Sequence, residues 1–238
     1  MNPNKFRSIV VLTGAGISAE SGIQTFRDQN GLWENHRIED VATPEAFIKN
    51  PPLVQEFYNL RRRQLKNNNI MPNNAHLSLG EFEKKFSGEF HIITQNIDHL
   101  HEQAHSKNIL HMHGELFKVR CVQTNDIFTW HDDITAKSKC SCCKLTGTLR
   151  PHIVWFGEMP LFMDQIEQLL LAADLFISIG TSGEVYPASM FIQICKRHNP
   201  DVTTVEINLN KTSTSNYFDQ RFVGPASREV PHFLKSLL

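Results

Sequence analysis

The segment "SIVVLTGAGISAE" (residues 8–20) joins a short apolar run, rich in β-branched residues, to a Gly-Ala-Gly turn. Short continuous apolar runs are typical of strands that are buried on both faces, as in a parallel sheet covered by helices. Three further runs have this character, namely "FHIITQN" (90–96), "LFISIGTS" (175–182) and "TTVEINL" (203–209). The sequence therefore predicts an α/β fold built on a doubly wound, Rossmann-like parallel sheet.

Two long segments between these strands predict a smaller inserted domain. About 75 residues separate the first two strands and include the predicted helix "PPLVQEFYNLRRRQLKN" (51–67). Its two prolines suit a helix start, and its predicted inner stripe consists of Leu53, Phe57, Leu60 and Gln64. Residues 118–150 form a polar, cysteine-rich insertion. We expect a Rossmann-like domain of about 1–28, 74–117 and 152–238, and a small domain of about 29–73 (helical) and 118–151 (cysteine-rich).

Composition excludes several classes of partner. The 238 residues carry 24 Lys plus Arg and 25 Asp plus Glu, a formal net charge of -1. This balance produces no global field that would recruit nucleic acid or an anionic membrane. We expect no signal peptide, and no apolar stretch approaches the roughly 20 residues that span a bilayer. The sequence therefore predicts a cytoplasmic protein that binds neither nucleic acid nor membrane.

The cysteines are clustered. Of five in the chain, three lie in "CSCC" (140–143), a spacing too close for an ordinary disulfide framework. In a reducing compartment such a cluster indicates metal ligation.

A different metal site is suggested by "HEQAHSKNILH" (101–111), which contains His-Glu-x-x-His and a third His. On a helix, His101 and His105 would lie one turn apart with Glu102 as a general base, as in zinc metalloproteases. Asn108 stands where the extended motif has Gly, and Asn readily adopts left-handed backbone. Five of the twelve histidines lie between residues 99 and 113, which favours fortuitous spacing. A zinc metalloprotease therefore stands as a distant alternative.

The glycine-rich turn predicts a phosphate-binding loop. Gly14 and Gly16 would let the backbone approach a pyrophosphate at the start of a following helix, and Ala19 occupies the third fingerprint position. A dehydrogenase also needs an acidic residue at the end of a second strand about 20 positions further on. Asp40 has that spacing, but "HRIEDVATPEAF" (36–47) does not read as a strand. Ordinary redox use of NAD is therefore disfavoured.

Five motifs occur in one order along nearly the whole chain: "GAGISAESGIQTFRDQNGLW" (14–33), "TQNID" (94–98), "HMHG" (111–114), "RPHIVWFGE" (150–158) and "GTS" (180–182). In these motifs the chain resembles the sirtuin family. The resemblance implies an enzyme that consumes NAD as a co-substrate while removing acyl groups from lysine side chains of protein partners. It also implies that the substrate peptide pairs by its backbone with "VWFGE" and "GEVYP".

The resemblance assigns roles to individual residues. His113 matches the base that activates a ribose hydroxyl. His111, two residues away and predicted on the same strand and face, is expected to be structural. Asn96 and Asp98 match the residues that hold the ribose and the nicotinamide amide. The implied NAD-binding residues are Gly14, Ala15, Gly16, Ile17, Ser18, Ala19, Phe26, Arg27, Trp33, Gln95, Asn96, Ile97, Asp98, Gly180, Thr181, Ser182, Asn208 and Ala226. The family also has a helix with a Leu-His-Glu segment after "QNID", so "HLHEQAH" (99–105) is expected to be that helix, with His105 there by chance.

The resemblance further implies one structural zinc ion per chain, held by two C-x-x-C pairs. Cys121, Cys140 and Cys143 match three ligands, but Thr124 stands at the fourth position. Cys142 is a spare thiol that could take part instead of Cys143. The alternative is a module without zinc, held by packing alone.

The predicted helix also carries a candidate acyl-recognition pair. Tyr58 and Arg61 are at i and i+3 and thus share a face, and a guanidinium beside a phenol suits a carboxylate. With Ala42 leaving room, this pair resembles the sirtuins that remove succinyl and malonyl groups, and acetyl removal is expected as well. The alternative is that residues 61–63, three arginines in a row, form a solvated helix face. Mono-ADP-ribosyl transfer and a silent NAD-binding regulator remain alternatives on the same fold.

Overall fold

A computed structural model describes residues 6–24, 32–33 and 36–237 of the chain, with residues 32–33 described for the backbone alone. Phe26, Arg27 and the side chain of Trp33 lie outside the described residues. The strands are β1 (Ser8–Thr13), β2 (Leu32–Trp33), β3 (His36–Arg37), β4 (Glu89–Thr94), β5 (Ile109–His111), β6 (Gly114–Cys121), β7 (Ile127–Thr129), β8 (Leu149–Ile153), β9 (Leu175–Ile179), β10 (Thr203–Asn208) and β11 (Gln220–Val223). The α-helices are α1 (Ile38–Val41), α2 (Pro44–Lys49), α3 (Pro51–Leu65), α4 (Asn74–Lys85), α5 (Leu100–Gln103), α6 (Met163–Ala172), α7 (Phe191–His198) and α8 (Ala226–Lys235).

The main sheet is parallel and has the strand order β11-β10-β9-β1-β4-β5. The chain builds β4 and β5 on one side of β1 and then returns to build β9, β10 and β11 on the other. In open α/β sheets, ligands bind outside the carboxyl ends of the strands where the strand order reverses in this way. The predicted doubly wound sheet is confirmed, and its topology points to the carboxyl end of β1.

Alternate residues of β1 explain the two helical layers. Ile9 and Val11 face a core shared with α4 and α8, whereas Val10 and Leu12 face a core shared with α6 and α7. A strand with apolar residues on both faces can bury each face only under a separate layer of helices. The run "SIVVLT" therefore dictates the sandwich of helix, sheet and helix.

The smaller part contains α1–α3 and an antiparallel sheet of order β7-β6-β8. Helix α3 begins at Pro51 after the N-cap Asn50, whose side chain accepts a hydrogen bond from the backbone N–H of Leu53. The predicted helix is confirmed, and of its predicted inner stripe Phe57 is buried and Leu53 packs against the core, but Leu60 does not. Leu60 is 45% exposed, whereas Arg62 is fully buried. The guanidinium of Arg62 is accommodated because it donates to the Leu116 carbonyl on β6 and to Asn59 Oδ1.

Three local predictions also differ from the structure. A helix was expected after Gly14. In the described residues up to 24, the structure has two short 3₁₀ turns there instead, at Ala15–Ile17 and Ala19–Ser21. The edge strands β5 and β11 were not predicted, since they have only three and four residues. His111 and His113 do not share a strand, because β5 ends at His111 and His113 lies in the turn before β6.

In the described part of the chain, no helix combines the length and apolar character needed to cross a bilayer.

Candidate active site

A cavity of about 860 Å³ lies at the carboxyl ends of the parallel strands. Its size falls within the range of about 300–1,000 Å³ that is usual for ligand sites. The predicted site residues that line it are Gly14, Ala15, Gly16, Ser18, Ala19, Ala42, Tyr58, Arg61, Gln95, Asn96, Ile97, Asp98, His113, Gly180, Thr181, Ser182 and Asn208. Residues far apart in sequence thus meet at the edge to which the strand order points.

The glycines of the first turn allow a close approach between two loops. A Cβ atom on Gly16 would lie 2.7 Å from the Gly180 backbone, and one on Gly14 would lie 2.9 Å from the Gly180 carbonyl oxygen. The N–H of Gly16 donates to that carbonyl at 2.9 Å. Gly180 itself has φ of +62°, in the left-handed region that favours glycine. Gly14 and Gly16 therefore pack the loop after β1 against the loop after β9, and their N–H groups bond to protein carbonyls.

The loop after β4 presents an amide and a carboxylate to the cavity. Asn96 Nδ2 donates to the Gly14 carbonyl and to Ser18 Oγ, each at 3.2 Å. Ser18 Oγ in turn donates to Asp98 Oδ2 at 3.0 Å. Burial raises the pKa of Asp98, although bonds from the Leu100 N–H and Ser18 oppose that shift. Asn96 and Asp98 are thus fixed against the glycine turn by one connected network.

The tautomer of His113 leaves one ring nitrogen able to accept a proton. Its Nδ1 lies 3.0 Å from the Gln95 carbonyl oxygen, and because a carbonyl only accepts, Nδ1 carries the proton. Nε2 is then the basic nitrogen. Burial lowers the pKa of His113, opposed by the bond to Gln95, so the ring is neutral near pH 7. Sequence reasoning placed this side chain in the site, and the fold supplies its orientation.

Further polar residues that line the cavity come from the loops after β9 and β10. Asn208 Nδ2 donates to the Thr181 carbonyl at 2.6 Å, which joins the ends of the two strands. Leu209, Asn210, Lys211 and Thr212 continue the lining beyond Asn208. This loop had no sequence signal other than its place after a strand.

Ala42, Tyr58 and Arg61, from the smaller part of the fold, also line the cavity. Arg61 Nη1 donates to the Phe57 carbonyl at 2.7 Å, and its guanidinium carbon lies 3.5 Å from the centre of the Phe57 ring. Tyr58 Oη accepts a hydrogen bond from Trp155 Nε1 at 3.0 Å. Burial raises the pKa of Tyr58, so the phenol keeps its proton at neutral pH. A cation and a neutral hydroxyl therefore sit together on α3.

Trp155 is held by an ion pair. Arg150 and Glu158 form two hydrogen bonds, of 2.7 and 2.9 Å, and Glu158 Oε2 also accepts from the Trp155 backbone N–H. The guanidinium carbon of Arg150 lies 3.6 Å from the centre of the Trp155 ring. Two-point pairing of this kind fixes geometry. The motif "RPHIVWFGE" thereby positions the indole that contacts Tyr58.

The His-Glu-x-x-His string does not build a metal site. Helix α5 ends at Gln103, and His105 has φ of +66°, so the two histidines do not lie one helical turn apart. Thr13 Oγ1 donates to Thr94 Oγ1 and so accepts from His101 Nε2, 3.1 Å away. The expected Leu-His-Glu helix is present, but it is only four residues long. The metalloprotease alternative is contradicted by this backbone.

The four clustered cysteines come together beside β6. The Sγ atoms of Cys121, Cys140, Cys142 and Cys143 all lie within 4.8 Å of one another. Cys121 and Cys143 are 3.7 Å apart, close to the separation of about 3.8 Å between two sulfurs at the corners of a ZnS₄ tetrahedron with Zn–S bonds of about 2.3 Å. Thr124 Oγ1 lies 3.1 Å from Cys142 Sγ. Cys142 thus lies beside the position of the missing cysteine, and its Sγ is 3.0 Å from Cys140 Sγ, closer than the separation in such a tetrahedron. The four thiols are the type of donor that zinc prefers.

Two predicted residues lie elsewhere. Ile17 is fully buried in the core beneath the sheet edge, and Ala226 packs into the same core at the start of α8. Neither lines the cavity. The lining residues that were not predicted as site residues are Ile23, Gln24, Gln64, Leu65, Leu116, Ile153, Val154, Trp155, Phe156, Gly157, Glu158, Pro160, Glu184, Val185, Tyr186, Leu209, Asn210, Lys211 and Thr212. Several of them belong to the quoted "VWFGE" and "GEVYP" segments. Ile23 and Gln24 lie within the first quoted motif, and Gln64 was predicted to be on the inner stripe of α3.

Comparison with known proteins identifies the family. A family model described as the Sir2 family matches residues 14–187. An "NAD-dependent protein deacylase" of Vibrio vulnificus is 56% identical over 233 residues, which cover 98% of this chain and 94% of that protein. One of the same name from Shigella flexneri is 55% identical over 230 residues, covering 97% of this chain and 84% of that protein.

Solved structures give the same result. A Sir2 homologue in complex with NAD matches with a TM-score of 0.88 and 36% identity, covering 99% of this chain and 91% of that one. A complex of Sir2 with a p53 peptide and NAD⁺ matches with a TM-score of 0.80 and 28% identity, covering 98% and 95%. The motifs, the sheet order and these matches agree, and the chain belongs to the Sir2 family, the sirtuins.

Proposed function

We propose that the chain is an NAD-dependent protein-lysine deacylase that removes succinyl, malonyl and acetyl groups and gives nicotinamide and 2'-O-acyl-ADP-ribose. The observation that carries this proposal is a single cavity lined by His113, Asn96 and Asp98 and also by Tyr58 and Arg61. The named activity of the relatives and the NAD and peptide complexes among the structural neighbours support it.

The residues at the sheet edge suit NAD as the co-substrate. Amide, hydroxyl and carboxylate groups of Asn96, Ser182 and Asp98 line the cavity where ribose hydroxyls and a carboxamide would need partners. His113 would accept a proton from a ribose hydroxyl through Nε2. The cavity walls would shelter the ribosyl carbon from water while nicotinamide departs and the acyl oxygen bonds to it. Phe26, Arg27 and the Trp33 side chain remain predicted contacts.

The α3 end of the cavity suits an acyl group that ends in a carboxylate. The Arg61 guanidinium is already fixed by Phe57, so little side-chain entropy would be lost when it binds an anion. Tyr58 uses an acceptor site for Trp155, so its own hydrogen points away from the indole. Glu158, which also lines the cavity, is paired with Arg150. Ala42 adds only a methyl group to the wall.

The proposed substrates are tested with one peptide that carries succinyl-, malonyl-, acetyl- or butyryl-lysine. Butyryl has the carbon count of succinyl but no carboxylate, so it separates recognition of charge from recognition of length. With NAD present, we expect nicotinamide release from the succinyl, malonyl and acetyl peptides and a higher kcat/KM for succinyl than for butyryl. Equal kcat/KM for succinyl and butyryl peptides would contradict an acid-recognising pocket, and no release from any peptide would contradict the deacylase.

We also propose one structural zinc ion per chain, held by Cys121, Cys140 and Cys143 with Cys142 as the fourth ligand in place of the residue at Thr124. The support is the cluster of four sulfurs and the contact of Thr124 with Cys142. Such a site would tie β6 to the loop before β8, remote from the acyl chemistry.

Removal of the fourth thiol tests the zinc proposal. Wild-type protein purified without chelator is expected to hold about one zinc equivalent by elemental analysis, because four thiolates form a closed tetrahedral site. Cys142→Ala is expected to lose most of it and to unfold at a lower temperature. Cys195→Ala, which alters the buried cysteine outside the cluster, serves as the control and should keep its zinc. Freshly purified wild-type protein without zinc would contradict the site, and full zinc in Cys142→Ala would remove Cys142 from it.

A further inference from the structure

Two residues of "HEQAHSKNILH" do meet, although His101 and His105 do not lie one helical turn apart. Glu102 on α5 and His111 at the end of β5 are joined by a bond of 2.6 Å between Oε1 and Nε2. His111 Nδ1 lies 3.3 Å from the Asn96 carbonyl oxygen. Because a carboxylate and a carbonyl both accept, an imidazole that bonds to both donates from both nitrogens and is an imidazolium. His111 is nearly inaccessible, with 6% of its side chain exposed.

His111 at the end of β5 and His113 in the turn before β6 bind consecutive carbonyls. His113 bonds to the Gln95 carbonyl and His111 to that of Asn96. The same Asn96 donates its backbone N–H to Thr94 Oγ1 and directs its side chain to Gly14 and Ser18. His111 therefore fixes the main chain of a residue whose side chain lies in the active-site network.

We propose that Glu102 and His111 form a positioning pair that holds the segment 95–98 against the turn carrying His113 and that sets the alkaline limit of the activity. This inference rests on the proposed function. The pair does not touch the reacting atoms. It acts through Asn96, and an error of about 1 Å in the placement of such a group can cost on the order of a hundredfold in rate.

The charges around His111 favour the imidazolium. Burial alone lowers the pKa of His111, but the bond and charge of Glu102, the charge of Glu115 on β6 and the bond to Asn96 raise it above the usual value. Burial raises the pKa of Glu102, but the bond and charge of His111, a backbone hydrogen bond and the charge of His99 together lower it below its usual value. Among the described residues, Asp98, His99 and His101 also interact electrostatically with His111.

The two histidines consequently limit activity from opposite sides. His113 must be unprotonated, so activity is lost as pH falls through its lowered pKa. His111 must be protonated to keep its bonds to Glu102 and Asn96. These bonds are complete below the raised pKa of His111 and are lost as the pH rises through that pKa. A bell-shaped pH profile follows, with the acid limb set by His113 and the alkaline limb by His111.

The test uses His111→Asn, Glu102→Gln and the control His105→Asn, which makes the same substitution at an exposed histidine whose left-handed backbone asparagine tolerates. We expect His111→Asn to lower kcat by roughly tenfold to a hundredfold with little change in the KM for NAD. It should also lose the alkaline limb, while Glu102→Gln should shift that limb to lower pH. Unchanged kcat and an unchanged alkaline limb in His111→Asn would overturn the proposal.

A second readout needs no activity. Proton NMR of the histidine rings, assigned by loss of the signal in His111→Asn, gives the titration midpoint of His111 directly. We expect a midpoint above 6.5, the usual value, and a lower one in Glu102→Gln. A His111 midpoint at or below 6.5 would overturn the proposed positioning pair even if deacylation is observed. Absence of deacylation in the wild type, with a raised midpoint, would instead contradict the proposed function.

Discussion

His113→Ala is expected to lower the rate of deacylation by roughly 10²–10⁴, the usual cost of removing a general base. The reason is that His113 lines the cavity and that Nε2 is its basic nitrogen, since Nδ1 is bound to the Gln95 carbonyl. Binding of NAD should be less affected, because the ring is proposed to move a proton. Steady-state kinetics with a saturating acyl peptide, together with a binding titration of NAD, measures both quantities.

The control for this prediction is the pH profile of the wild type. Since burial lowers the pKa of His113, activity should be retained as pH falls from 7 and should be lost only at a midpoint below 6.5. Thermal unfolding of His113→Ala checks that the fold is intact. If the variant keeps more than about half of the wild-type rate, His113 has no role as the base.

Arg61→Met is expected to lower desuccinylation by roughly one to three orders of magnitude while acetyl removal survives. An ionic hydrogen bond is worth about 1.5–3 kcal/mol, and the succinyl carboxylate would also be left desolvated and unpaired. Each 1.4 kcal/mol corresponds to about tenfold in rate. Acetyl-lysine has no distal carboxylate and loses nothing of this kind. The measurement is kcat/KM for succinyl and acetyl versions of one peptide.

Matched variants on the same helix strengthen that comparison. Arg63→Met makes the same change at an exposed arginine that pairs with Glu56 and Asp133, and both activities should persist. Tyr58→Phe removes a single neutral hydroxyl and should show the bias of Arg61→Met more weakly. Misfolding would lower both activities together. A parallel loss of both activities in Arg61→Met, or intact desuccinylation, would contradict the assignment of Arg61 to the acyl carboxylate.

The main sheet could be predicted because its central strands are buried on both faces. Strands β1 and β9 are nearly uninterrupted apolar runs, and β4 and β10 combine apolar with β-branched residues. Short segments of this kind, bounded by turn residues, have few other structures open to them. The edge strands β5 and β11 escaped prediction because they are short, and β11 alternates half-buried and exposed residues. Their pairing depends on neighbours distant in sequence.

The face of α3 shows what local periodicity cannot supply. Periodicity and hydrophobicity place Leu60 inside and the arginines outside, the reverse of what is found for Leu60 and Arg62. Burial of Arg62 becomes possible only where the Leu116 carbonyl, 54 residues away, accepts its N–H. The cost of burying a polar group depends on such partners, and they become known only with the tertiary structure.

The histidine string was misleading for a related reason. The spacing of His101 and His105 matches a metal motif only if the helix continues, and α5 ends at Gln103. By contrast, the cavity residues at Gly14, Asn96 and Gly180 could be anticipated, because each follows a recognisable strand and the carboxyl ends of parallel strands share an edge. Trp155 was quoted within a motif, but its contact with Tyr58 required the fold.

The most direct test of the central claim is to incubate the protein with a succinyl-lysine peptide and NAD that is radiolabelled in its adenosine part. The products that carry the label are then identified. The account predicts that nicotinamide, unmodified peptide and labelled succinyl-ADP-ribose form in equal amounts, because one cavity brings the acyl oxygen to the ribosyl carbon. Label bound covalently to protein would indicate ADP-ribosyl transfer, and intact NAD with no peptide turnover would indicate a silent NAD-binding protein. Either of these results would contradict the deacylase.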